Sequence, residues 1–374
     1  MRSICAGWVA PRRSTGPRLF GLLLWIPLAL AAPAVAPAAE PRVADSPGPC
    51  AIEGVERIVA VGDVHGAYES FVAILKATGI IDARRRWSGG RAHLVQTGDV
   101  LDRGPDSRKA LDLLRRLESE APRAGGRVHA LLGNHEVMRM LGDLRYVSPG
   151  EYAAFRTPGS LELWDRFYRS EALQALKRSE AAGEPFDQKA FRARFQEDVP
   201  LGQVEMRLEF GPEGEYGRWL RQHDAMVRID GVVFLHGGVS PAVAPLGCRE
   251  VNETIRRELT TGMQEVRASP AASLGSRADG PLWYRGLAQE DEAAFAPQIE
   301  EILSKLEARA IVTGHNVASG GRIASRFGGK VFQIDTGMLT SSYPEGRASA
   351  LEIRDGRFTA IYEDRRDVLL DPKL

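Results

Sequence analysis

Short hydrophobic runs alternate along this chain with segments in which apolar residues recur every three or four positions. Residues 56–61 form such a run and predict a buried strand, and the apolar spacing of residues 68–78 predicts the helix that follows. The same order returns with a strand at 92–96 and a helix that has Pro105 near its first turn. A third strand is predicted at 128–132. Repeated strand–loop–helix units are typical of an α/β fold.

The pattern changes after the third strand. At about 150–225, charged and apolar residues mix at helical spacing, which predicts a helical insertion. The later elements are predicted as one strand at 226–235, a helix at 295–309, a strand at 310–313 and hairpin strands with an Asp-Gly turn within 321–363. We therefore expect one large domain at 55–365 that carries the insertion.

The first residues have the pattern of a secretory signal. Cationic residues precede an apolar run at 19–32, and small residues then lead to Glu40. We expect residues 1–39 either to be cleaved as a signal peptide, which makes the protein periplasmic or secreted, or to remain as a membrane anchor. Contact with a membrane is expected only in the second case. Residues 40–54 are rich in proline and are predicted to be a linker.

Composition narrows the class of protein. Among 374 residues, Lys plus Arg and Asp plus Glu both number 49, so the overall charge does not favour binding of nucleic acid. A hydrophobic content of 44% fits a globular protein. Cys5 would leave with the signal peptide. Cys50 and Cys248 are then expected either to pair in an oxidising compartment or to stay as two thiols.

Polar side chains follow the predicted strands where each strand ends, and ligands bind at that edge of an open α/β sheet. They are Asp63, His65, Asp99, Asp102, Arg103, Asn134, His135, His236 and His315. Each one alone could belong to a turn or a helix cap, but carboxylate, imidazole and amide donors together suit divalent first-row metals. The set contains no cysteine, which argues against structural zinc. Asp99 is central in the strand order and is expected to bridge two ions.

These residues lie in five ordered motifs. The motifs are Gly62-Asp63-Val64-His65-Gly66, Gly98-Asp99-Val100-Leu101-Asp102-Arg103-Gly104, Gly133-Asn134-His135-Glu136, His236-Gly237-Gly238 and Gly314-His315. From about residue 56 to 340 the chain resembles the phosphoprotein phosphatase (PPP) branch of the calcineurin-like metallophosphoesterases. The flanking segments EYGRWLRQHD and PLWYRGL are similar to the bacterial Shewanella-like subgroup. The resemblance implies a four-layer αββα sandwich with a helical insertion.

The resemblance also implies two divalent metal ions, with Mn²⁺ expected and iron or zinc compatible with the same ligands. A hydroxide that bridges the ions would attack phosphorus. In the roles that the resemblance implies, Asp63 and His65 bind the first ion, Asn134, His236 and His315 bind the second, and Asp99 bridges the two. Arg103 and Arg285 hold the phosphate oxygens. His135 protonates the leaving group, and Asp102 holds the His135 ring. Arg285 lies in a short loop, and its alternative is a surface arginine.

The chain departs from the common family pattern in two places. Asn316-Val317 follows the last histidine motif in place of Thr-Pro, and residues 334–337 show no match to the tyrosine found near the C-terminus of eukaryotic relatives. The contacts of the leaving group are therefore open. His93, His129 and His223 lie outside the motifs and are expected to be structural.

Three functions fit these residues. The first is a phosphatase acting on phosphorylated protein or peptide, with phosphotyrosine among its substrates. The second is a dinucleoside polyphosphate hydrolase or other small-molecule phosphoesterase, although such nucleotide hydrolases typically lack the aspartate that is Asp102 here. The third is a metal-binding envelope scaffold without catalysis. The intact ligand set and the pair formed by Asp102 and His135 favour the first.

Overall fold

Two six-stranded β-sheets form the centre of the protein. The computed structural model describes residues 50–373. With strands numbered along the chain, the first sheet contains, in order across it, β1 (Ala51–Ile52), β5 (Met226–Ile229), β6 (Val232–Leu235), β7 (Ala310–Thr313), β9 (Val331–Gln333) and β8 (Ala324–Arg326). The second contains β12 (Arg366–Leu370), β11 (Arg357–Tyr362), β10 (Ser349–Arg354), β2 (Ile58–Val61), β3 (His93–Gln96) and β4 (Arg127–Ala130).

Helices connect these strands. They are α1 (Tyr68–Ala77), α2 (Ser107–Glu120), α3 (Asn134–Leu141), α4 (Pro149–Ala154), α5 (Ser160–Ala182), α6 (Gln188–Asp198), α7 (Gln203–Glu209), α8 (Glu215–Leu220), α9 (Gly247–Thr260), α10 (Met263–Ala268), α11 (Gly286–Gln289) and α12 (Glu292–Lys305). Within residues 50–373, no helix has the length and apolar character needed to cross a membrane. The predicted signal segment at 1–39 lies outside the described residues.

The two sheets pack face to face. Their shared core joins Ile58 and Val95 of the second sheet to Phe234 and Phe332 of the first, and the Phe332 ring stacks on Phe358 with ring centroids 4.4 Å apart. A separate apolar cluster joins the remaining sheet faces to α1, α2, α9 and α12. Each sheet buries one face against the other sheet and its other face against helices, which gives four layers. The expected αββα sandwich is confirmed.

Parallel strands bring the predicted site loops to one edge of the sandwich. Strands β2, β3 and β4 run parallel in one sheet, and β6 and β7 run parallel in the other. The four-residue runs of β2, β6 and β7 are almost wholly apolar and buried, as strands covered on both faces must be. The site motifs begin where these strands end, so the polar side chains of the motifs lie at the same edge of the sandwich.

The insertion is helical and has a small core of its own. Helices α4 to α8 lie between β4 and β5. Trp164 stacks on Tyr168, and Phe195 packs on both rings. The insertion starts at a capping box, in which the Ser148 hydroxyl accepts from the backbone of Glu151 and the Glu151 carboxylate accepts from that of Ser148.

Three boundaries differ from those expected from the sequence. The strand expected at 226–235 is two antiparallel strands, because Asp230 and Gly231 take φ values of 47° and 71° and form a tight turn. The linker expected at 40–54 ends sooner, since β1 pairs with β5. The domain also continues past residue 365, since β12 pairs with β11.

Cys50 and Cys248 form a disulfide, which decides between the two alternatives left by the sequence. Their Cα atoms are 6.0 Å apart, and the bond closes a loop with a sequence separation of 198. It ties the residue before β1 to the first turn of α9. A long closed loop removes conformational freedom from the unfolded chain.

We therefore expect Cys50→Ser to lower the free energy of unfolding by about 2–4 kcal/mol under oxidising conditions. The measurement is thermal unfolding of both proteins with and without reductant, where the difference should vanish once wild type is reduced. An unchanged melting temperature in the oxidised state would contradict the stabilising role of the bond.

His93 and His129 lie side by side on neighbouring strands, with His93 Nδ1 and His129 Nε2 3.1 Å apart. Burial, with Arg127 and His93 nearby, lowers the pKa of His129 to about 3. The unfolded chain therefore binds a proton at His129 between about pH 6.5 and 3 when the folded chain does not, so stability falls as pH falls through this window.

We expect His129→Gln to flatten this dependence, so that between pH 7 and pH 5 the variant loses about 1–2 kcal/mol less stability than wild type. Urea unfolding at the two pH values measures the difference. Equal losses in the two proteins would show that His129 carries none of the pH dependence.

Candidate metal centre

The loops that carry the site have strained backbones. The non-glycine residues with left-handed φ include His65, Asp99, Asp102, Arg103 and His315, at 47°, 57°, 71°, 68° and 66°. Such conformations cost on the order of 1–3 kcal/mol each and cluster at functional sites. The backbone of Gly133 lies so close to the Asp99 carboxylate that a Cβ atom there would be 2.2 Å from Asp99 Oδ1, which leaves room only for glycine. The loops are therefore held in shape by their surroundings.

Glu136 supplies much of that hold. Its buried carboxylate accepts the backbone N–H groups of Asp99 at 2.8 Å, Val100 at 2.9 Å and Gly133 at 2.9 Å. One side chain on α3 thus fixes the loop after β3 against the loop after β4. No role was predicted for Glu136 from the sequence, although it is the fourth residue of the Gly-Asn-His-Glu motif.

Asp99 lies where the loops meet. Its Oδ2 atom is 3.2 Å from His236 Nε2 and 3.7 Å from the Nε2 atoms of both His65 and His135. Two groups of potential ligands share this carboxylate, one with His65 and His135 and one with His236 and His315. A carboxylate shared by two ligand groups is what a dinuclear centre requires.

Asn134 completes the second group. Its Oδ1 atom is 2.9 Å from His236 Nε2, which is also 3.1 Å from His315 Nδ1. Beside the first group, Asp63 places Oδ2 3.7 Å from His65 Nε2, and its Oδ1 accepts from the backbone of His315. All six residues predicted as ligands are therefore brought together.

The outer nitrogen of two rings is fixed by the backbone. His65 Nδ1 lies 2.8 Å from the carbonyl of Leu101, and His236 Nδ1 lies 3.0 Å from that of Thr97. A carbonyl can only accept, so Nδ1 carries the proton and Nε2 turns a lone pair inward. These inward lone pairs face Asp99 and Asn134 oxygens, an arrangement that a cation between them would satisfy.

Charges at the centre also favour cations. Burial, with Asp335 and Asp99 nearby, raises the pKa of Asp63 well above its ordinary value, and burial raises that of Asp335 to about 6. Burial lowers the pKa of His65 to about 3 and of His315 to about 2, so both rings are neutral and can act as ligands. Buried carboxylates beside neutral imidazoles therefore fit two divalent ions.

His135 differs from His65 and His236 because its Nδ1 atom faces a carboxylate and not a backbone carbonyl. Its Nδ1 atom is 2.5 Å from Asp102 Oδ2. Burial alone would lower the pKa of His135, but Asp99 and the hydrogen bond with Asp102 outweigh it and raise the pKa. His135 is thus close enough to Asp99 to be a ligand, and its pairing with Asp102 suits it to carry a proton.

The two predicted phosphate-binding arginines occupy different surroundings. Arg103 places Nη1 2.8 Å from His65 Nε2 and Nη2 3.4 Å from His135 Nε2, so its guanidinium faces the centre. Arg285 is exposed, but its Nη1 donates to Asn316 Oδ1 at 2.7 Å, beside His315. Its side chain therefore reaches the rim of the site.

Two tyrosines at the site were not identified from the sequence. The Tyr343 hydroxyl accepts a hydrogen bond from Arg103, and its ring centroid lies 5.8 Å from the Arg103 guanidinium carbon. Tyr146 is 45% exposed, and its ring lies 5.1 Å from that of His135. Tyr343 lies six residues beyond the segment 334–337, where the chain returns to the centre. No motif marked Tyr146.

This geometry fits a metal-dependent phosphoesterase in which two ligand groups share one carboxylate. The calcineurin-like phosphoesterase family matches residues 56–318, and the chain belongs to that family.

Relatives agree with this assignment. Shewanella-like protein phosphatase 2 of Arabidopsis thaliana is 30% identical, over 81% of this chain and 76% of the relative. Shewanella-like protein phosphatase 1 of Plasmodium berghei is 27% identical, over 82% of this chain and 74% of the relative. The crystal structure of a cold-active protein tyrosine phosphatase from a psychrophilic Shewanella species has a TM-score of 0.65 and 26% identity, covering 86% of this chain and 83% of that one.

We expect Asp99→Asn to reduce the metal content below two ions per chain, because an amide oxygen without charge bridges cations poorly. Affinity should fall by at least about 10–100-fold, and turnover should be lost. Elemental analysis after dialysis measures the bound metal, with Asp165→Asn on α5 as a control that also removes one carboxylate. Full metal content in Asp99→Asn would disprove the bridging role.

Proposed function

We propose that this chain hydrolyses phosphate monoesters on phosphorylated proteins or peptides, with phosphotyrosine among its substrates. We also propose that it uses two divalent ions and that Mn²⁺ is the metal it uses. The observation that carries the proposal is the buried Asp99 carboxylate shared by two groups of ligands, with the Arg103 guanidinium facing them. The relatives from Arabidopsis thaliana, Plasmodium berghei and a Shewanella species are all named as protein phosphatases, which supports a phosphorylated protein as the substrate.

Phosphate-monoester hydrolysis is among the slowest uncatalysed reactions in water, so the site must stabilise a highly charged transition state. Bound divalent ions supply Lewis-acid stabilisation of the phosphoryl oxygens and an activated water. Asp63 and His65 would hold one ion, Asn134, His236 and His315 the other, and Asp99 both. This assignment leaves His135 free for proton transfer.

The chain's own polar groups handle the substrate. Arg103 and Arg285 would donate hydrogen bonds to the phosphoryl oxygens, for which a planar guanidinium is well shaped. His135 Nε2 would donate a proton to the departing oxygen, while Asp102 holds Nδ1 on the opposite side of the ring. The reaction breaks the phosphorus–oxygen bond to the side chain and leaves its hydroxyl protonated.

An aromatic leaving group would find a partner at the rim. The exposed Tyr146 ring lies beside His135, the proposed proton donor to the departing oxygen. Ring stacking there would favour a phosphotyrosine side chain over a shorter phosphoserine. The name of the Shewanella relative, a protein tyrosine phosphatase, supports the same preference.

We also propose that the protein is exported. The signal-like pattern of residues 1–39 supports export. The disulfide between Cys50 and Cys248 supports an oxidising compartment, since such bonds are rare where thiols are kept reduced. Cell fractionation with an antibody to the chain tests this proposal, and recovery of the oxidised protein in the cytoplasm would refute it.

The activity test compares three substrates with the manganese-loaded protein: a phosphotyrosine peptide, a matched phosphoserine peptide and a dinucleoside tetraphosphate. We expect the highest kcat/KM with phosphotyrosine. A preference for the dinucleotide would support the small-molecule alternative. Inactivity toward all three, with two metals bound, would support the scaffold instead.

Substitution of the proposed proton donor gives a sharper prediction. We expect His135→Asn to lower kcat by about 10²–10⁴-fold, because the leaving oxygen then departs without a proton. Its metal content should stay at two ions per chain, measured by elemental analysis. Wild-type turnover in this variant would remove His135 from the mechanism, and loss of one ion would make His135 a ligand.

A further inference from the structure

The chain leaves α3 and enters the insertion through residues 139–151, which we call the root segment. This segment packs along the loop after β3, the loop that carries Asp102 and Arg103. Its contacts with that loop are Arg139 Nη2 to Asp102 Oδ1, Arg103 N–H to the Tyr146 carbonyl at 2.9 Å, the Ser148 hydroxyl to the Gly104 carbonyl at 3.0 Å, and Asp102 N–H to Glu151 Oε1 at 3.2 Å.

Three charged side chains at this junction are buried away from solvent. Asp102, Arg139 and Glu151 each have only 1% of the side chain exposed. Arg139 Nη2 donates both to Asp102 and, at 3.0 Å, to Glu151 Oε1. Burying charges costs several kcal/mol per ion even when they are paired, and well-packed apolar side chains often stabilise a fold equally well. Stability alone is therefore a weak reason for these charges.

Their geometry points to a different reason. The two oxygens of the Asp102 carboxylate have different partners: Oδ1 accepts a hydrogen bond from Arg139, and Oδ2 faces His135 Nδ1. Glu151 holds Arg139 from the far side and also holds the backbone of Asp102. The carboxylate therefore cannot rotate away from the His135 ring without breaking a buried ion pair.

We propose that Arg139 and Glu151 are positioning residues for proton transfer, which aim the Asp102 carboxylate and so fix the His135 ring toward the leaving group. Glu151 belongs to α4, the first helix of the insertion. The insertion thus contributes to the reaction through its root segment. This inference rests on the proposed phosphatase function, since it assigns a task to the partner of the proposed acid.

The test depends on the leaving group, because only a step that protonates the departing oxygen responds to its basicity. Phenyl phosphate has a basic leaving oxygen and needs the proton, whereas p-nitrophenyl phosphate has a stabilised one and needs it much less. For Glu151→Gln we expect kcat with phenyl phosphate to fall about 10–100-fold. The loss with p-nitrophenyl phosphate should be at least about fivefold smaller, with KM and the content of two metals kept.

A matched control is Glu205→Gln, which neutralises another buried glutamate of the insertion, one that accepts a hydrogen bond from Ser160. It should leave the ratio of the two rates as in wild type. Because loss of a buried charge can prevent folding, Arg139→Lys is a second variant. It keeps the charge but loses the planar fork, and it should show the same dependence on the leaving group.

The outcomes separate cleanly. An equal loss with both esters, a loss of metal, or no loss at all would overturn the positioning role while leaving the phosphatase function intact. Failure of both variants to fold would also overturn it, because the charges would then be needed for the structure itself. Metal-loaded wild type that hydrolyses neither these esters nor the peptides would overturn the proposed function, and this inference with it.

Discussion

Asp99 is the constraint on which the rest of the site depends. A buried carboxylate within 3.7 Å of three imidazole nitrogens has no stable place in an apolar core unless charge of the opposite sign accompanies it. The His135 ring, whose pKa Asp99 and Asp102 raise, can supply part of that charge. Here burial keeps His65 and His315 neutral, so their lone pairs remain available as ligands. Divalent ions bound by the neutral rings would supply further positive charge, which ties the electrostatics of the centre to metal binding.

Holding these groups together requires a backbone that the sandwich alone would not favour. Several site residues lie in left-handed conformations, and that strain is tolerated because neighbouring side chains over-determine the loops. Glu136 does this for the loop after β3 by accepting its N–H groups, and the root segment does it from the other side. Two buried glutamates on different helices thus fix one loop. A site displaced by 1 Å can lose about 10²-fold in rate, so such rigidity has catalytic value.

The sequence predicted the parts of the site that are local in the chain. Each predicted ligand follows a strand within a few residues, so hydrophobic patterning placed it at the sheet edge before any contact was known. The turn at Asp230-Gly231 was missed because both of its strands are apolar and merge into one run, although Asp-Gly is itself a turn signal. Tyr343 and Arg139 could not have been assigned in the same way. Their partners are 240 and 37 residues away, and no periodic pattern encodes such contacts.

The division between these classes of residue has a physical basis. Ligands must be short side chains at fixed positions after strands, because their donor atoms have to meet around the same ions. Here the candidate ligand atoms of each group lie within 4.8 Å of one another. Groups that orient them can come from any surface that packs nearby, so a helical insertion can supply them without a motif. Glu151 illustrates this freedom: it caps α4 through Ser148, as many glutamates do in a capping box, and the same carboxylate reaches Arg139 and the Asp102 backbone. Glu151, which the sequence explains fully as a helix cap, is thereby also placed two contacts away from the His135 ring. Local explanations of a buried charged side chain are therefore incomplete until all of its hydrogen bonds have been followed to their ends.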